Sequence, residues 1–276
     1  MKTGAVLLTA LALAACQNDT KNLNDKIDKL DKKLDALIAQ GPRGGGGPGA
    51  NAPRPSRPEP DRAKTYAVPI AGDPFDGPAD AKITLVKAYD YACPYCERVR
   101  PTMDDLRKKY GDDLRIVYKQ LVVHPQTAMT SALAFCAAAK QGKATQMDNL
   151  LWEKGFKARQ FDADQCWTAG NCEKVNGFAQ ELQLDANKFK EDLKNCQQQV
   201  QNDMRDVQKL GVGATPSFFI NGRFISGAMP IDNFTSLIDE ELKKANERIQ
   251  QGTPKAQYYQ QWVLDKGLKT LEAPKQ

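Results

Sequence analysis

The feature that most constrains this chain is Cys93-Pro94-Tyr95-Cys96, set between a strand-like run and a helix-like run. Before it, Lys82-Ile83-Thr84-Leu85-Val86-Lys87-Ala88-Tyr89 is rich in β-branched and aromatic residues and reads as a buried strand. After it, residues 97–106 read as helix. A thiol at a strand-to-helix turn sits where free N–H groups and the helix dipole stabilise a thiolate. Cys96 falls one turn further in, close enough to close a small disulfide ring with Cys93. Pro94 suits a first helical turn, where its missing N–H costs nothing. Half a zinc site would need a second pair of ligands, but the chain has one His and no other Cys-x-x-Cys. A purely structural bridge over so short a loop would restrain little of the unfolded chain. The pattern therefore points to redox chemistry, with the dithiol itself as the centre and no metal or organic cofactor.

A distant stretch bears on the same site. Gly211-Val212-Gly213-Ala214-Thr215-Pro216-Ser217-Phe218-Phe219-Ile220-Asn221-Gly222-Arg223-Phe224-Ile225 is a glycine-rich loop, a proline and two short strands joined by Asn-Gly, a strong hairpin signal. Cys-Pro-Tyr-Cys, a proline eight residues after the first cysteine (Pro101) and Ala-Thr-Pro-Ser-Phe-Phe-Ile-Asn-Gly together resemble the thioredoxin superfamily, in particular its periplasmic DsbA-like thiol-disulfide oxidoreductases. The resemblance covers roughly residues 65–250. It implies an α/β thioredoxin fold with an inserted helical domain, a cis Pro216 packed against the cysteine pair and a kink at Pro101. It also carries substrate binding to Thr215, Pro216 and Tyr95. Cys93 is then the exchanging thiol and Cys96 the resolving one. One residue departs from the pattern. Six positions before the first cysteine the family usually has Asp or Glu, and here stands Lys87. A buried ammonium near the thiols favours thiolate and makes the couple more oxidising. The plainer alternatives are that Lys87 reaches solvent or pairs with Asp90.

The N-terminal region reads as targeting and tether. Residues 1–15 combine Lys2, an apolar run from Ala5 to Leu13 and small residues, which describes a secretory signal too short to span a bilayer as a helix. Leu13-Ala14-Ala15-Cys16 resembles a bacterial lipobox, which implies cleavage before Cys16 and lipidation of its sulfur. Gln17 follows it, so the choice between inner and outer membrane stays open. In residues 16–40, Leu23, Ile27, Leu30, Leu34 and Leu37 follow a heptad spacing over little more than two heptads. That seam serves either a homo-oligomer through residues 20–40 or a lone amphipathic spacer. Residues 41–64 hold four consecutive glycines and then prolines among arginines, a composition that cannot bury a core and reads as a disordered linker. Nucleic-acid binding is disfavoured, because no aromatics interleave with the charges and the net charge of +5 is spread along the chain.

From Tyr66 the chain reads as globular. Tyr66-Ala67-Val68 suggests an edge strand stopped by Pro69, and residues 73–78 a turn-rich connection. Residues 114–121 read as the next strand, closing at His124-Pro125. His124 is the only histidine and is kept as a neighbour of the site rather than a catalytic group. Residues 127–209 read as a helical block, with helices near 128–140, around Met147–Trp152, and at 173–182 and 185–210. A helix at 231–249 completes the thioredoxin half, and an amphipathic helix at 255–264 forms a C-terminal extension, residues 251–276, whose Tyr and Trp dock on the domain.

Seven cysteines are an odd count for a secreted chain. Lipidated Cys16 and the Cys93/Cys96 pair leave Cys136, Cys166, Cys172 and Cys196, with three pairings open and buried free thiols as the alternative. Cys166 and Cys172 flank a turn able to bring them together. Bridges between helices comparable to those carrying Cys136 and Cys196 occur in some DsbA-like proteins, so the resemblance implies that pair. The expected protein is a periplasm-facing lipoprotein of the bacterial envelope. It exchanges disulfides with unfolded or cysteine-containing secreted proteins and is recharged by a membrane redox partner or thiol buffer. Oxidase activity is the first expectation. A DsbC/DsbG-type reductase or isomerase is the second, favoured by Thr215 before the proline but lacking that type's N-terminal domain. A structural envelope lipoprotein with a thioredoxin-like binding domain is the third.

Overall fold

The computed structural model describes residues 59–159 and 173–271, all within the compact unit Arg57–Gln276. Its centre is a five-stranded sheet of β1 (Phe75–Asp76), β2 (Ile83–Tyr89), β3 (Leu114–Gln120), β4 (Ser217–Ile220) and β5 (Arg223–Ser226), in the order β1-β3-β2-β4-β5. β2 and β3 run parallel, and every other pairing is antiparallel. β2 is the middle strand and all seven of its residues are buried, which explains its near-continuous apolar run. Alternation along β2 sends Ile83 and Leu85 to one face and Val86 and Ala88 to the other. Lys87 therefore shares the face of Leu85, where Val99, Met103 and Leu106 of the active-site helices pack with Phe218, Phe234 and Ile238.

Those helices are α1 (Pro94–Arg98) and α2 (Arg100–Tyr110), separated at Val99. The break lies just before Pro101, whose ring excludes a regular turn onto the carbonyl four residues back. Beyond β3 the chain leaves the sheet as α3 (Pro125–Ala139) and α4 (Ala144–Leu150), the latter continuing as a wide π-helical stretch, Leu151–Phe156. After the undescribed stretch come α5 (Glu173–Glu181) and α6 (Ala186–Gln208). Asp185 caps α6 by accepting from the N–H groups of Asn187 and Lys188, both at 2.9 Å. Phe135, Trp152, Phe178 and Phe189 of this block share one core with Tyr89, Tyr91, Cys93 and Cys96. The chain returns through the β4–β5 hairpin to α7 (Ile231–Gln250).

The hairpin turn has Asn221 and Gly222 both at positive φ, 43° and 83°. Gly222 is also held against the N-terminal segment: a Cβ there would meet the Tyr66 carbonyl oxygen at 2.6 Å.

Three local expectations are corrected. Residues 66–68 are buried but form no strand: isolated bridges pair Thr65 with Arg223 and Tyr66 with Leu268, and the Val68 N–H turns back to the Tyr66 carbonyl at 3.1 Å. The turn-rich 73–78 connection contains a two-residue strand, β1, antiparallel to β3. Residues 255–264 are not one regular helix but a 3-10 turn, Lys255–Gln257, followed by a π-helical stretch, Tyr259–Leu264. Burial of two consecutive tyrosines explains that irregularity, since Tyr258 and Tyr259 both pack inward and the Tyr259 hydroxyl donates to the Val68 carbonyl at 2.9 Å. Cys16, the heptad seam, the linker up to Pro58, and Cys166 and Cys172 lie outside the described residues.

Candidate active site

Cys93 occupies the N-cap of α1 with extended backbone, and the N–H groups of Cys96 and Glu97 point back to its carbonyl. Pro94 stands in the first turn. Both cysteines are free thiols and buried, Cys93 at 4% exposure and Cys96 at 0%. The Thr215–Pro216 peptide is cis, and the Pro216 carbonyl accepts from Gly227 N–H at 2.9 Å. This leaves the Thr215 carbonyl facing the site, where it accepts from the Cys93 thiol at 3.4 Å. Tyr95 projects outward, 55% exposed, with the Arg98 guanidinium 5.1 Å from its ring centre.

The two thiols are driven apart in acidity. Cys93 falls to about 5, first through a hydrogen bond from the Cys96 thiol and then one from the Thr215 side chain, which together outweigh burial. Backbone N–H groups of Tyr95 and Cys96 add to this, as the N-terminal position of the thiol requires. Cys96 is pushed far up by burial and by the neighbouring Cys93 sulfur. Lys87, 3% exposed, lies in the sheet between Tyr118 of β3 and Phe218 of β4. Its ammonium sits 4.5 Å from the Tyr89 ring centre. Its charge bears on Cys96, whose thiol it pulls down against the larger effect of burial. The influences that lower Cys93 come from Cys96, Thr215 and backbone instead. Lys87 neither reaches solvent nor pairs with Asp90.

Asp90, fully buried, has a different task. One of its oxygens accepts from Ala92 N–H at 2.6 Å; the other accepts from Val123 and His124 N–H at 2.6 and 2.8 Å. Its carbonyl also accepts from Cys93 N–H at 3.2 Å. It thus ties the cysteine turn to the loop that starts α3. His124 caps α3 with its ring half-exposed and Nδ1 3.3 Å from Asp90, beside the site but not on a sulfur. Asp directly after a strand is a turn-forming residue, and that was its one legible sign. Asp148 and Tyr91, joined at 2.7 Å behind the pair, carried no signal in the sequence. Away from the site, Cys136 of α3 is bonded to Cys196 of α6, S–S 2.02 Å. Among the described residues no group of three or more metal-ligating side chains gathers.

An acidic thiol at a helix start, a buried partner thiol and a cis-proline carbonyl on a β-α-β scaffold define a thioredoxin-fold dithiol protein. The chain belongs to the thioredoxin family, whose model, described as Thioredoxin, matches residues 71–240. Oxidised BdbD from Bacillus subtilis is similar in fold, with a TM-score of 0.57 at 23% identity, covering 67% of this chain and 100% of that one. The alpha-DsbA1 of Wolbachia pipientis gives a TM-score of 0.55 at 18% identity, over 66% of this chain and 96% of the other. Both likenesses show a DsbA-like fold. Among curated relatives, the Na(+)/H(+) antiporter NhaA of Herminiimonas arsenicoxydans is 34% identical over 169 residues, 60% of this chain and 25% of the relative. The chain spans about a quarter of the length of the curated relatives it matches.

Proposed function

We propose that this protein is an extracytoplasmic thiol-disulfide oxidoreductase that donates disulfides to cysteine-containing client proteins. The observation that carries the reading is the contrast between Cys93, held near 5, and Cys96, held far above the ordinary thiol range, beside the Thr215 carbonyl. In the oxidised enzyme a client thiolate attacks the Cys93 sulfur. The Cys93–Cys96 bond breaks, Cys96 leaves with the electron pair and takes up a proton, and client and Cys93 share a mixed disulfide. A second client thiolate then attacks the client sulfur. Cys93 departs as a thiolate, which its low pKa makes a good leaving group. The client has lost two electrons and the enzyme has gained them, so a membrane redox partner or thiol buffer must reoxidise the pair. Stabilising reduced Cys93 as thiolate makes the couple oxidising, which supports the oxidase direction over reductase or isomerase. Exposed Tyr95, two residues after Cys93, and exposed Val123, in the loop that Asp90 ties to the cysteine turn, offer apolar contact to an unfolded client. Lipidation at Cys16 would hold the enzyme at the membrane surface, and the glycine- and proline-rich composition of residues 41–64 would suit a tether.

The test is turnover of a reduced, unfolded disulfide protein alongside a scrambled one. Oxidation of the first with little repair of the second is expected. Cys93→Ser should abolish exchange and Cys96→Ser should accumulate mixed disulfides on non-reducing gels. Normal turnover by Cys93→Ser would refute the assignment.

A further inference from the structure

Three segments frame the Cys93 thiol. They are the cysteine turn, residues 90–98; the loop that Asp90 ties to it, residues 121–126; and the loop that brings in the Thr215 carbonyl, residues 211–217. Together they hold only three side chains that are carboxylates, ammoniums or guanidiniums: Asp90, Glu97 and Arg98. Asp90 is fully buried, its oxygens taken by the N–H groups of Ala92, Val123 and His124. Glu97 is paired with Lys157 at 3.3 Å. Lys157 in turn meets Glu153 at 3.0 Å, and Glu153 meets Arg100 at 2.7 Å, so two anions and two cations offset one another beside α1. Arg98 stands outside that network. Among the described residues no carboxylate forms an ion pair with it, and its guanidinium lies 5.1 Å from the ring centre of Tyr95. Both residues are exposed, on the short helix that Cys93 caps. A guanidinium resting on an aromatic face is partly pre-oriented and loses less freedom on meeting a carboxylate. With the rim's two acids buried or paired, its charge is left for a partner that comes to the site.

We propose that Arg98, set on the Tyr95 ring, is a specificity-determining residue that favours client segments carrying a carboxylate next to the reacting cysteine. The inference rests on the oxidoreductase reading above and names the client chemistry that this site prefers. A client cysteine that exchanges with Cys93 brings its flanking residues to the exposed side chains of the same turn, and these are Tyr95 and Arg98. A charge at such a rim acts on encounter and docking, and its effect weakens with salt. The covalent exchange at Cys93 is the same for every client. An acidic neighbour also makes the client thiol itself a weaker acid. The preference of this site is therefore read by comparing enzyme variants on the same clients.

The experiment uses the oxidised full chain and two reduced, unstructured peptides. Each peptide has a pair of cysteines, and the two are identical except that one carries Asp and the other Lys beside the first cysteine. Single-turnover oxidation gives a second-order rate constant for each peptide, and the quotient of the Asp constant over the Lys constant is the readout. A change in Cys93 reactivity alone cancels in that quotient, because both peptides attack the same sulfur. Arg98→Gln should lower the quotient about threefold to fivefold, the size of an exposed charge pair. Arg98→Glu should lower it further, and Arg98→Lys should keep most of it. In about 1 M salt the wild-type quotient should fall toward that of Arg98→Gln. Lys243→Gln, the same loss of charge at an exposed position of α7, should leave it unchanged. A quotient equal in wild type, Arg98→Gln and Arg98→Glu overturns the inference. An equal fall in Lys243→Gln also overturns it, since the effect would then be one of net charge. If the oxidised wild-type protein oxidises neither peptide, the oxidoreductase reading falls, and this inference with it.

Discussion

Cys93 and Thr215 stand 122 residues apart in the chain, yet the Cys93 thiol donates to the Thr215 carbonyl at 3.4 Å. The contact exists because β2 and β4 are neighbours, paired from Leu85 and Ile220 to Ala88 and Ser217, so that the end of one meets the beginning of the other. The Thr215 side chain adds a hydrogen bond that favours thiolate. Thr215→Val keeps the shape and removes that donor. The Cys93 pKa should rise from about 5, and the couple should become less oxidising. Thiolate absorbance and equilibration against glutathione report both, and an unmoved pKa would show that the backbone alone tunes the thiol.

A depressed thiol pKa is also a statement about stability. Cys93 sits near 5 in the folded reduced protein and near about 8.5 when unfolded. The folded reduced state therefore binds its proton less tightly than the unfolded one. Its thiolate contribution is fully present above the unfolded value, shrinks as pH falls, and is gone below about 5. The oxidised protein has no such thiolate. Urea unfolding should show reduced protein gaining on oxidised protein as pH rises from 5 to 8, and a difference independent of pH would contradict the thiol assignment.

How much of this site could be read from the chain depends on how local each signal was. The cysteine turn, the β2 run and the Asn221-Gly222 hairpin are short-range patterns, and the structure places them as strand, helix start and tight turn. β1 escaped because two residues carry no periodicity; pairing with β3, not propensity, makes Phe75–Asp76 a strand. Asp90 and Asp148 escaped for a different reason. A carboxylate in a loop or on a short helix looks solvated until the elements that cover it are in place. Asp148 meets Tyr91 only because α4 packs into the helical-block core that Tyr91 joins. Lys87 was legible as a departure, but the group that bears on it most favourably was not.

The Cys136–Cys196 bridge joins α3 to α6 across 60 residues of sequence. Loop-closure entropy for that span amounts to about 4 kcal/mol of stabilisation, within the roughly 2–5 kcal/mol common for native bridges. Replacing both cysteines by Ser avoids a stray thiol and should cost an amount in that range in urea unfolding. The loss should fall on the helical block, with Cys93 acidity little changed, because its hydrogen bonds come from Cys96 and Thr215. A cost below about 1 kcal/mol would mean that helix packing already holds α3 and α6 together.

On the other face of the sheet, Lys119 of β3 is buried among carboxylates, 2.8 Å from Asp73, 3.3 Å from Asp203 and 3.2 Å from Asp206. Gln199 donates to both Asp73 and Asp203, and Asp203 accepts from Gln120 N–H, so the cluster ties α6 and the loop before β1 to the sheet. Burial pushes Asp73 up and Asp203 up to about 7, although Lys119 opposes both. Both raised carboxyls bind protons more tightly when folded than when unfolded, where they sit near about 3.9. Their ionisation thus costs stability above pH 7 and costs less as pH falls toward 4. Lys119→Met removes the one cation at the centre of these contacts and leaves negative charge buried. The expected loss is about 3–5 kcal/mol at pH 8. Because protonation then relieves what Lys119 relieved before, the gap to wild type should narrow steadily from pH 8 to pH 5. Parallel urea titrations of the oxidised proteins keep the Cys93 thiolate out of the measurement. A gap that stays constant with pH would show that Lys119 acts by packing rather than by charge.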